Sequence, residues 1–86
     1  MTQRIQIDDT GWTLLSTGKT RGLIENETGR AVKVRIEAVG VVPSNSETWG
    51  HNLNIAKYFT WEKASLGADI YARATEGSGY LLVSEG

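Results

Sequence analysis

The sequence predicts an all-β domain, a small β-sandwich or jelly-roll-like barrel of about seven short antiparallel strands. Apolar residues recur with period two far more clearly than with the 3.6-residue period of a helix. Ten glycines cut the chain into short pieces, and apolar runs return at intervals of about ten residues, as expected where two sheets bury their inner faces on each other. At 86 residues the chain fits a single domain, residues 1–86, with no room for a second core.

Taken in order, Ile5 and Ile7 alternate with Arg4, Gln6 and Asp8 in a first short strand, and Gly11 separates it from a second at residues 12–17. Residues 17–20 read as a loop and residues 21–26 as a strand. Residues 27–30 form a tight connection that predicts a hairpin with the next strand. That next run, residues 31–39, is the clearest: Val32, Val34, Ile36 and Ala38 alternate with Lys33, Arg35 and Glu37, so one face is apolar and the other charged. Residues 42–50 hold the only proline and a cluster of turn formers, which predicts a mobile surface loop. Further strands are expected at residues 51–55, 57–61, 68–74 and 80–84, the last two forming a second hairpin across Gly77-Ser78-Gly79. Residues 61–66 are too short for a stable helix and read as loop.

Composition narrows the function classes. Nine Lys and Arg against ten Asp and Glu give a net charge of -1, which argues against a nucleic-acid partner. No cysteine is present, so a disulfide framework, a thiolate metal site and a Cys nucleophile are all excluded. No apolar run is long enough for a spanning helix and no signal-like run follows the start, so neither a membrane partner nor secretion is expected. Gly18-Lys19-Thr20 matches the end of a phosphate-binding loop, but Thr13 stands where the first glycine belongs and a strand follows where a helix is required. His51 is the only histidine and has no partners arranged for a triad or a metal, and adjacent Asp8 and Asp9 point to opposite faces of a strand. Glu47, Glu62 and Glu76 read as solvated loop residues. Asn26-Glu27-Thr28 fits a glycosylation acceptor, a short pattern that arises easily by chance. No catalytic residue, cofactor or metal is expected, and the protein reads as non-enzymatic.

The aromatic residues are the better lead. Phe59 and Trp61 share one face of their strand and read as core, and Trp12 reads as packing under a sheet edge. Trp49 follows the polar loop and is the aromatic expected to be exposed as a contact residue. In residues 68–74, Ile70 and Ala72 point inward, which sends Tyr71 and Arg73 outward as an expected interface patch.

The pattern Trp12-x-Leu14-Leu15, then Gly22-Leu23-Ile24-Glu25-Asn26-Glu27-Thr28 leading into Val32-x-Val34-Arg35-Ile36, resembles the start of small β-rich structural domains of tailed bacteriophages. Gly50-x-x-Leu53, Tyr58-Phe59-Thr60-Trp61, Gly67-Ala68-Asp69-Ile70-Tyr71-Ala72-Arg73 and Leu81-Leu82-Val83-Ser84-Glu85 look like their later strands. The resemblance spans nearly the whole chain and implies a short virion or fibre-attachment protein, made in the host cytoplasm, with other virion proteins as partners. It supplies no catalytic motif. A core this small, with exposed sheet edges, further suggests a small homo-oligomer. The competing expectation is a carbohydrate-binding module that stacks a glycan on Trp49 and Trp61, with Asn45, Asn52 or Asn54 bonding its hydroxyls.

Overall fold

Residues 1–62 and 67–85 are described by a computed structural model of the protein. They form eight strands: β1 (Thr2–Asp8), β2 (Thr13–Lys19), β3 (Arg21–Asn26), β4 (Val32–Glu37), β5 (His51–Leu53), β6 (Tyr58–Glu62), β7 (Ala68–Ala74) and β8 (Ser78–Glu85). The loop expected at residues 61–66 lies, from Lys63 onward, outside the described residues. Two four-stranded sheets result, with strand orders β1-β8-β3-β6 and β2-β7-β4-β5. Every neighbouring pair is antiparallel. This is the strand order of a jelly roll, in which each sheet takes alternate pairs from a folded-over Greek key. The all-β sandwich expected from the periodicity is therefore present.

Among the described residues only β4 and β5 are neighbours both in sequence and in a sheet; the strands of every other successive pair lie in different sheets. Both expected hairpins are corrected by this. β3 and β4 face each other across the core instead of pairing, and so do β7 and β8. An amphipathic strand buries its apolar face equally well beside its neighbour or opposite it, so periodicity alone does not choose, and side chains in the connections decide. Asn26, 3% exposed at the end of β3, donates its amide to the carbonyls of Arg30 (2.7 Å), Leu53 (3.1 Å) and Asn54 (3.1 Å). Its Oδ1 accepts from the Thr28 amide at 2.9 Å and the Thr28 hydroxyl at 2.7 Å. The Asn-x-Thr triplet is thus an Asx-type turn that bends the chain from one sheet to the other, with the asparagine amide fully engaged. At the other crossover the Gly77 amide donates to Asp9 at 3.1 Å, which ties the β7–β8 link to the β1–β2 corner.

Local departures from the expected boundaries have identifiable causes. β2 continues to Lys19, through the predicted loop, because the register shifts between Leu14 and Ser16 and again between Ser16 and Lys19. Bulges of this kind let consecutive Leu15 and Ser16 both be buried. β4 ends at Glu37, since Gly40 turns the chain at a φ of 91°. β5 stops at Leu53, where a turn closes with the Lys57 amide on the Asn54 carbonyl at 3.2 Å.

The core is built from the inward positions of both sheets, with Ile7, Ile24, Val32, Val34, Ile70 and Leu81 fully enclosed. Trp61 is buried as expected, and its ring lies so close over Gly22 that a Cβ there would stand 2.1 Å from it. Phe59 and Ile36 pack against the core while remaining partly exposed. Val34 is consequently the better probe of the central strand: Val34→Ala should cost about 2 kcal/mol in urea unfolding, while Lys33→Ala on the other face should stay within about 0.5 kcal/mol. Equal losses would mean that the inward face of β4 is wrongly assigned.

Candidate functional site

β7 is buried along its whole length, so both of its faces are covered. The inner face holds Ala68, Ile70, Ala72 and Ala74 against the core. Tyr71 and Arg73 do point to the outer face, as alternation demands, but each is only 6% exposed. The exposed patch expected there is corrected: residues 38–50, between β4 and β5, lie across that face.

Arg73 anchors the covering. Its guanidinium donates to the carbonyls of Asp9 at 2.8 Å and Asn45 at 2.9 Å, and its Cζ lies 5.5 Å from the centroid of Trp12. A planar fork with five donors suits this work, because it reaches carbonyls from two separate loops at once. Trp12 adds two bonds of its own, from its backbone amide to Asn45 Oδ1 at 3.2 Å and from Nε1 to the Glu47 carbonyl at 2.8 Å. Pro43, within the same loop, is buried. The segment expected to be mobile is therefore pinned at several points.

Arg35, one cross-strand step from Tyr71, forms the second half of the cluster. Its nearly buried guanidinium pairs with Glu47 at 3.2 Å and Glu37 at 3.5 Å. The same group lies 4.0 Å from the centroid of Trp49 and 5.6 Å from that of Trp12, so it is held between two indoles and two carboxylates. Glu47, expected to be free in solvent, is the carboxylate that closes this arrangement. Trp49 remains 62% exposed, with one ring face resting on Arg35. Beside it opens a cleft of about 290 Å³ lined by Arg35, Ile36, Glu37, Trp49, Gly50 and His51. Among the described residues no three side chains of His, Cys, Asp and Glu are grouped as metal ligands would be.

Asp69 holds the far end of the loop. Its carboxylate accepts from the Thr17 hydroxyl at 2.6 Å, the Gly40 amide at 2.9 Å and the Gly18 amide at 3.3 Å. These donors, the Thr17 hydroxyl foremost, hold its pKa below the ordinary carboxylate value against the opposing effect of burial. The neighbouring Tyr71 phenol is pushed up, first by burial and then by the charges of Asp69 and Glu37.

Of the expected contact residues, Trp49 alone lies at the surface; Tyr71 is buried, and Arg73 holds the loop that carries Trp49. The glycan platform does not assemble as expected, because Trp61 is in the core. Asn45 holds Trp12, and the side chain of Asn52 is bonded to Lys33. His51 is exposed on β5, 6.1 Å from Phe59 between ring centroids. The parts that sequence reasoning missed are Arg35 and Glu47, which alternation and composition classed as surface polar residues; Asn45 holds Trp12 where it was expected to bond a glycan. A polar loop carrying a tryptophan, Trp49, able to stack on a strand arginine, Arg35, was the available signal. Compared with known protein families, curated protein sequences and solved structures, the chain matches none.

Two outcomes follow from this geometry. Arg73→Ala should destabilise the fold by about 2–4 kcal/mol, because charged hydrogen bonds to two loops are lost, whereas Trp49→Ala should cost no more than about 1 kcal/mol. Chemical denaturation of the two variants checks this, and a larger loss from Trp49→Ala would contradict the anchoring described. Because Asp69 has a lowered pKa in the folded state, its contribution is complete above the unfolded value of about 4 and drains away as pH falls through the folded value. Asp69→Asn should therefore be less stable at neutral pH and show a shallower loss of stability than the wild type as pH falls below the unfolded carboxylate value of about 4. Parallel pH profiles would refute the role given to this carboxylate.

Proposed function

We propose that the protein is a non-enzymatic structural or accessory component of a tailed-bacteriophage virion, made in the host cytoplasm and acting through protein–protein interfaces as a small homo-oligomer. The observation that supports this reading best is the jelly-roll strand order, an architecture used repeatedly in viral capsid domains. The support is by analogy of fold, together with the resemblance of spaced strand motifs. Trp49 provides a means of attachment. An exposed indole already stacked on Arg35 and carried by a pinned loop loses little conformational freedom when a partner covers it, and tryptophan is prominent among the residues that dominate interface energies. The partner would be another virion protein, met by Trp49 and the cleft beside it.

The exposed Trp49 also favours a second reading, a carbohydrate-binding module, since an indole beside an open cleft can stack a sugar ring. One experiment separates them. Purified particles of the bacteriophage that carries the gene should contain peptides of this chain. A Trp49→Ala version expressed in the infected host should be depleted from the particles at least tenfold while remaining folded, its melting temperature lowered by no more than about 8 °C. Absence of the wild-type chain from particles, with specific and Trp49-dependent signals on a glycan array, would transfer the function to the second reading.

A further inference from the structure

β1 pairs with β8 on one side and ends its sheet on the other. The direction of its hydrogen bonds is set by Met1 and Glu85, which exchange both amide–carbonyl bonds at 3.1 Å. Counting in steps of two, Gln3, Ile5 and Ile7 also turn their backbone groups toward β8. Thr2, Arg4, Gln6 and Asp8 turn theirs outward, and among the described residues no backbone group pairs with them. An open cleft of about 370 Å³, lined in part by Gln3, Ile5, Leu14 and Leu15, runs beside this edge, and Leu14 is 44% exposed within it. The edge thus combines unpaired strand groups with uncovered apolar surface, the two features that natural sheets normally conceal.

We propose that the β1 edge is the self-association surface of this protein, joining a second copy of the chain antiparallel about a two-fold axis at Gln6. The occupant is chosen by the charge pattern of the strand itself. Centring the axis on Gln6 places Arg4 opposite Asp8 of the second copy, and Asp8 opposite its Arg4, at the two hydrogen-bonded positions that flank the Gln6 pair. A shift that centred the axis on Arg4 would set two arginines against each other. In the Gln6 register Ile5 faces Ile7 of the second copy on the inner side, which extends the core over the open cleft.

The side chains are available for this pairing. Arg4 is exposed and spends its charge on a loose contact with Glu27 at 3.7 Å and on the ring of Tyr80 at 4.2 Å. The Asp8 carboxylate is held in place by the Thr10 amide at 3.0 Å and hydroxyl at 2.7 Å. Union of the two edges turns two four-stranded sheets into one continuous sheet and leaves neither β1 exposed. This inference rests on the homo-oligomer reading above and specifies its interface.

Sedimentation velocity on the intact chain tests it with three variants. Gln6→Pro removes an amide that faces outward, so the sheet should survive while the dimer is lost. Arg4→Glu sets the introduced glutamate against Asp8 twice, and Asp8→Lys sets the introduced lysine against Arg4 twice; each alone should weaken the dimer roughly tenfold or more. An equimolar mixture of these two should recover a dimer, because both cross-strand pairs are then complementary. Asp8→Lys also loses the Thr10 turn, so its melting temperature is followed separately, and the recovery in the mixture decides if either variant is less stable. A wild-type chain that stays monomeric at high concentration overturns both this interface and the oligomer from which it was argued. An oligomer unaffected by Gln6→Pro and Arg4→Glu overturns the β1 edge alone and leaves the virion reading standing.

Discussion

Arg73 sits on a strand that is covered on both faces, so its charge must be satisfied by whatever covers it. The outer covering is the segment between β4 and β5, which supplies the Asn45 carbonyl, while the β1–β2 corner supplies that of Asp9. A single guanidinium therefore joins two loops to a central strand. Everything distinctive about the outer face follows from that attachment: Trp12 is clamped beneath the loop, Glu47 is brought to Arg35, and Trp49 is delivered to the surface on a fixed support. Asp69 does the corresponding work at the other end of β7 with a carboxylate and two backbone amides. The central strand of this sheet thus organises the surface through its two charged residues and the core through its aliphatic ones.

The two sheets differ in how their outer faces are finished. The face of β2-β7-β4-β5 is closed by the pinned loop, whereas that of β1-β8-β3-β6 is left open, with Tyr58, Leu23 and Tyr80 exposed on it. Polar cross-strand contacts, such as Thr2 with Ser84 at 2.8 Å, lie on the same open face. Chain economy accounts for the asymmetry, since one long connection is enough to cover one sheet of a domain this small.

Strand existence was legible in the chain because period-two alternation is a local signal. Val32, Val34 and Ile36 announce a strand whichever sheet it joins. Pairing was not legible in the same way. The choice between a hairpin and a crossover after β3 rests on the buried Asn26 amide reaching Leu53 and Asn54, partners almost thirty residues away in sequence. The site was half legible. Trp49 stands out from its position after a polar loop, but the reading of Tyr71 and Arg73 as surface residues followed alternation correctly and still failed. Alternation reports which face a side chain takes and says nothing of what lies over that face. An arginine next to buried positions on a central strand, in a chain with one long polar loop, is the combination that signals a covered sheet.

The outer face depends on the loop being fastened to it, and the indole N–H groups of Trp12 and Trp49 report on that attachment from its two sides. Hydrogen exchange of the tryptophan side chains, followed by NMR, is the most direct measurement. The Trp12 indole proton, donated to the Glu47 carbonyl, should exchange orders of magnitude more slowly than that of exposed Trp49. It should also lose that protection in Arg73→Ala. A Trp12 proton that exchanges as fast as that of Trp49 in the wild-type protein would show the loop free of the sheet and contradict the account.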